Sequence, residues 1–157
     1  MRTLDEITTV VIHCAGTPNS PAGDKWGIAD VDTWHEARGW KRDDTFRQGS
    51  YRHCGYHKLI HTDGTTHLGR TLEEEGVHCK GLNGVSVGLC LLGTSQFTRA
   101  QWTSLRAEVV ILTELLGRPL RVIGHAEHDP ENKPDCPGFD VAQWLMGGMA
   151  PVPESTL

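Results

Sequence analysis

A chain of 157 residues with 38% apolar side chains has the size and composition of one compact domain, since domains typically hold about 100–200 residues. Its formal charge of -5, without any Lys/Arg-rich run, argues against nucleic acid as a partner, because a phosphate backbone is gripped by clustered cations. The N-terminus MRTLDEITTVVIHCAG carries only a short apolar run, too short for a signal segment or a membrane span. The expectation is a soluble, cytoplasmically made chain with no membrane insertion. Cys14, Cys54, Cys79, Cys90 and Cys136 are an odd number, which favours free thiols or metal ligation over a disulfide framework.

In chain order, the β-branched run from Thr8 to Ile12 reads as a strand buried on both faces that ends at His13. A loop rich in Pro, Gly, Ser and Asn follows from Gly16 to Gly27. The segment DVDTWHEARGW, Asp30 to Trp40, predicts a short helix capped by Asp30 and closed by Gly39, with Trp34 facing the core. Tyr51 to His61 alternates as a strand does, and Asp63-Gly64 followed by Thr65 to Gly69 is a hairpin signal. Val85 to Leu92 is another apolar strand, and Thr98 caps a helix that runs to Leu116. Leu120 to Gly124 is a short buried strand that again ends at a histidine, His125. Strands alternating with helices predict one α/β domain with a central, mixed, mostly parallel sheet flanked by helices, and such sheets place ligand sites beyond their strand ends. The domain is expected to span residues 1–146, with a Gly/Pro-rich tail, residues 147–157, loosely ordered.

Chemistry concentrates in GHAEHDPENKPDCPGFD, where His125 leaves a strand and Cys136 stands eleven residues later, before a Pro-Gly turn. Two ligands from one loop require a third, and His13, at the end of another buried strand, is the best-placed candidate. Three N/S ligands without a fourth is the pattern of a catalytic zinc, which keeps a position open for water. The alternatives are a strand-end core histidine for His13, a hydrogen-bonded or helix-capping one for His125 and a small buried hydrophobe for Cys136. A structural zinc is disfavoured by the absence of a CxxC knuckle.

Read together, VVIHC, the predicted helix ending in GW, GYHKLIHTDGTTHLGR, GVHCKGLNGVSVGLCLLG and GHAEHDPENKPDCPGFD resemble the phage-type N-acetylmuramoyl-L-alanine amidases, relatives of the peptidoglycan recognition proteins. The likeness runs from about Thr8 to Trp144. It implies that His13, His125 and Cys136 bind one Zn2+ and that Tyr56 and Lys133 complete the catalytic site. Lys133 lies three residues before Cys136, one further than in the family pattern. The resemblance also assigns His78, together with Lys80, to contacts with the substrate.

The implied reaction is hydrolysis of the amide between N-acetylmuramic acid and L-alanine, with zinc polarising the carbonyl and activating water, and Lys133 stabilising the oxyanion. Tyr56 would orient the water. Glu127 is a candidate general base, ranked below a role supporting a ligand. His128 reads as a solvated loop residue and His57 as a core or supporting one.

The implied setting is a phage or prophage endolysin, expected to be a monomer, held in the host cytoplasm until release to bacterial peptidoglycan. A recycling amidase using Asp135 as ligand, a binding-only recognition module and an RNA polymerase regulator are the competing readings.

Overall fold

A computed structural model describes residues 1–21, 25–46 and 50–157. Five strands form one sheet in the order β3-β2-β4-β1-β5. β1 (Thr9–Cys14) lies at the interior, parallel to β4 (Ser86–Leu91) and to β5 (Arg121–Gly124). β2 (Lys58–Ile60) runs parallel to β4, and β3 (Thr66–Leu68) closes the edge antiparallel to β2. The mixed, mostly parallel sheet is thus the expected one.

Burial on both faces explains the unbroken apolar runs. Val10, Ile12, Val87, Leu89 and Leu91 pack on one face with Trp102, Leu105 and Val109 of α2 (Arg99–Leu116) and with Val141 and Trp144 of α4 (Val141–Met146). Val11 and Ile123 turn to the other face, as alternation along a strand requires. The cap of α2 is as predicted: Thr98 accepts the Gln101 N–H at 3.1 Å, and Gln101 returns a bond to the Thr98 N–H at 3.0 Å. Gly117 closes it at φ +64°.

α1 (Ile28–Glu36) begins earlier than predicted, with Gly27 as its cap. Asp30 sits one turn in, where its carboxylate accepts the Gly27 N–H at 2.8 Å. Trp34 does not face the core: it is 36% exposed, while Ile28, Val31 and His35 are buried. Those three share one helical stripe, and Trp34 falls off it, against the ring of Trp26.

The predicted strand from Tyr51 to His61 shrinks to Lys58–Ile60. Upstream, side chains take the place of a neighbouring strand: Asp32 accepts the N–H groups of His53 and Cys54, and His35 Nδ1 accepts that of Gly55. A Cβ on Gly55 would stand 2.1 Å from the Val77 carbonyl oxygen, so only glycine lets these segments touch. The Asp63-Gly64 hairpin forms as predicted, with Gly64 at φ +86°.

Of the loop after β1, residues 22–24 lie outside the described residues. The tail, expected to be loose, ends in a 3-10 turn at Pro153–Ser155. It is tied to Phe97, whose N–H donates to the Ser155 carbonyl at 2.8 Å and whose carbonyl accepts the Leu157 N–H at 2.9 Å. Among the described residues no helix is long and apolar enough to cross a membrane.

Candidate metal centre and active site

The register of the sheet brings two histidines together. Ile12 pairs with Gly124 across β1 and β5, so the next residues, His13 near the end of β1 and His125 just past β5, stand at the same level on adjacent parallel strands. Their ring centroids are 4.5 Å apart. His125 opens α3 (His125–His128), and a run of backbone bonds folds the following loop back on it. Asp129 N–H donates to the His125 carbonyl, Lys133 N–H to that of Asp129, Cys136 N–H to that of Lys133 and Ala126 N–H to that of Cys136, at 2.7–3.2 Å. Cys136 is thereby delivered to the two imidazoles. One ligand atom from each of His13, His125 and Cys136 lies within 4.8 Å of the others, and this is the metal-ligand group found among the described residues. Asp135, the alternative ligand, is exposed and is not part of it.

Hydrogen bonds define which ring atom His13 offers. Its Nδ1 faces Cys136 Sγ at 3.9 Å, and its Nε2 meets His78 Nδ1 at 3.0 Å. His78 Nε2 lies 3.4 Å from Ser86 Oγ, whose hydroxyl donates to the Leu82 carbonyl at 2.7 Å. The end of this chain fixes its direction. Ser86 spends its proton on Leu82, so it accepts from His78 Nε2–H; His78 Nδ1 then accepts from His13 Nε2–H. His13 is left with a bare Nδ1 lone pair aimed at the site, the tautomer a metal requires. Burial, with the neighbouring charges of His125 and Lys133, holds His13 well below the ordinary imidazole pKa, and burial likewise lowers His125.

These residues line a cavity of about 520 Å³ with Tyr56, Lys80 and Lys133. The Tyr56 ring centroid is 5.1 Å from that of His13, and burial raises its phenol well above the ordinary value, so it keeps its proton. Lys133 and Lys80 are exposed at the rim. His78, expected to meet substrate, is 7% exposed and has both ring nitrogens turned to protein. Glu127 lies away from this cavity, and its carboxylate accepts the Gly124 N–H at 2.9 Å, bracing the start of α3. His128 Nε2 contacts the Lys80 carbonyl at 2.9 Å. His57 is fully buried, its Nδ1 accepting the Gly88 N–H and its Nε2 beside the Glu74 carbonyl.

Two participants had not been singled out by sequence. Ser86, at the start of β4, anchors the His78 ring. Cys14 places its thiol against Cys136; that contact lowers the Cys14 pKa and, together with burial, raises that of Cys136. Adjacency to His13 at a strand end was the available signal for Cys14, whereas Ser86 carried none.

A single α/β domain with two histidines and a cysteine converging at the carboxyl ends of parallel strands defines a protein with an open, three-ligand candidate metal centre. Residues 3–139 match the N-acetylmuramoyl-L-alanine amidase family model, and the chain belongs to that family. It is 32% identical over 151 residues to the endolysin of Enterobacteria phage K11, covering 91% of this chain and 88% of that protein. It is 32% identical over 143 residues to the endolysin of Escherichia phage T7, covering 86% and 83%. The fold matches the N-acetylmuramoyl-L-alanine amidase LysC from Clostridium intestinale, with a TM-score of 0.71, 22% identity and coverage of 95% and 90%. It also matches bumblebee PGRP-SA, with a TM-score of 0.69, 23% identity and coverage of 94% and 85%.

Proposed function

We propose that this amidase is zinc-dependent and acts as a phage or prophage endolysin, cutting the amide between N-acetylmuramic acid and L-alanine of bacterial peptidoglycan. The observation that carries the metal reading is the convergence of one ligand atom each from His13, His125 and Cys136 within 4.8 Å, with His13 Nδ1 facing Cys136 Sγ at 3.9 Å. The donor set fits the ion: two imidazoles kept neutral by burial and one thiol form a mixed N/S site that suits zinc, with three protein ligands leaving a position for substrate or water. When bound, zinc supplies Lewis acidity, polarising a carbonyl and making water a stronger nucleophile at neutral pH.

The chain's own residues do the rest. Cys136 must release its proton to become a ligand, so metal affinity rises with pH. Tyr56, protonated through the neutral range, offers an O–H to orient the attacking water. Lys133 brings an ammonium into the same cavity, where the amide oxygen gains negative charge. Lys80, at the rim, meets a carboxylate of the stem peptide. His78 holds His13 in its ligand tautomer rather than touching substrate.

The endolysin setting rests on the two phage endolysins, each about one-third identical along most of its length. In that setting the protein is a monomer that waits in the host cytoplasm and reaches the wall on release. The test is digestion of purified peptidoglycan with chemical identification of the new ends. Free L-alanine N-termini, without new reducing sugars, support the assignment; new ends at any other bond contradict it.

A further inference from the structure

Around the tight turn at Asp63-Gly64 the sequence reads HTDGTTH, and the hairpin turns that spacing into a contact. Leu59 pairs with His67 and Ile60 with Thr66, and the His61 N–H donates to the Thr65 carbonyl at 2.9 Å. Residues 59, 61, 65 and 67 therefore share one face of the hairpin, on which His61 and His67 are diagonal neighbours. Their ring centroids stand 4.3 Å apart, with the planes 36° from parallel. The same face packs Leu59 against Ile28 and Val31 of α1. A Cβ on Gly27, the cap of α1, would lie 2.9 Å from His61 Cε1, so the ring rests against the start of that helix.

His61 Nε2 is buried without a hydrogen-bond partner among the described residues, although buried polar atoms are nearly always partnered. Burial, and then the adjacent His67, lower the His61 pKa, so the ring is neutral at pH 7 and keeps a lone pair. The other charges that His61 feels are the carboxylates of Asp63 and Asp30, an anionic setting. Two adjoining imidazoles, an unused nitrogen and nearby negative charge suit a borderline divalent cation. Neither histidine lines the cavity of His13, His125 and Cys136. We infer that His61 and His67 form a second metal site, holding a cation such as Zn2+ through one nitrogen each, with water in the remaining positions. The site is independent of the amidase reading. The carboxylates do not complete a three-ligand group, which among the described residues is that of His13, His125 and Cys136. Two imidazoles hold zinc less tightly than two imidazoles and a thiolate, so the hairpin site fills only in excess metal. A cation shared by β2 and β3 binds the folded chain and not the unfolded one, and so stabilises the hairpin.

The test adds Zn2+ to wild type already holding one equivalent, and follows uptake by calorimetry, the histidine ring resonances by NMR and the unfolding temperature. One further cation should bind, shifting the rings of His61 and His67 ahead of the remaining histidines and raising the unfolding temperature. His67→Gln, at a half-buried position of the edge strand, and His61→Gln should each keep the first equivalent and weaken the second at least about tenfold. Absence of any uptake beyond the first equivalent would overturn the site. So would a second uptake that both variants leave undiminished, which would place the cation on other histidines such as the exposed His128.

Discussion

Replacing Gly88 by alanine tests whether the His13–His78 contact governs the metal site. Gly88 lies in β4 opposite Val11, and a Cβ there would stand 2.6 Å from Cγ, 2.7 Å from Cδ2 and 2.8 Å from Nδ1 of His78. Ordinary contact begins at 3.4 Å, so the ring must recede by about 0.8 Å. The atom displaced is the one that His13 Nε2 reaches at 3.0 Å, and a shift of that size stretches the bond to or beyond its useful limit. Glycine to alanine within a strand otherwise favours folding slightly. Overpacking of this kind costs about 1–3 kcal/mol. Loss of a ligand's supporting partner typically weakens a metal site by about 10–100-fold. Denaturant unfolding and a competitive zinc-chelator titration read the two effects separately. Removing the obstructed ring in Gly88→Ala/His78→Ala should recover part of the stability but none of the affinity. If Gly88→Ala loses stability while binding zinc as tightly as the wild type, the proposed control of His13 by His78 is wrong.

Glu127→Gln keeps an acceptor for the Gly124 N–H, so hydrolysis should stay within about threefold of wild type, against a loss of about 10²–10⁴ for a general base; steady-state rates on solubilised peptidoglycan decide. Lys133→Met should lower kcat by about 10²–10³ if its ammonium meets the developing oxyanion, with zinc content unchanged by elemental analysis. His57 is held at about 3, mainly by burial, below its ordinary 6.5. As pH falls below 6.5 the unfolded chain takes up the proton first, so stability is complete above 6.5 and is lost towards 3. The loss is on the order of 4 kcal/mol, and urea titrations across that window should find it reduced in His57→Asn.

The sites of chemistry were legible where a short apolar run meets a histidine: His13 stands one residue before the end of the buried strand β1, and His125 follows β5, which is buried only in its last two residues. The parallel register that puts them level was not visible in either segment, since it depends on pairing across more than a hundred residues of chain. Trp34 misled because an aromatic at helical spacing resembles a core residue, while the inward stripe is completed by His35. Residues 51–57 imitate a strand in their alternation, yet Asp32 and His35 of α1 occupy the backbone N–H groups of residues 53–55. His78 was legible as a member of the site but not in its orientation, because Ser86 and His13, which fix its two nitrogens, reach it from different strands.

The most direct test of the account is zinc removal and return on purified protein, with wild type and Cys136→Ala compared for new L-alanine N-termini on peptidoglycan. The account predicts activity abolished by a strong chelator, restored by one equivalent of zinc per chain, and absent from Cys136→Ala, which should also fail to retain zinc. Undiminished cleavage by the metal-free wild type, or by Cys136→Ala, would contradict it.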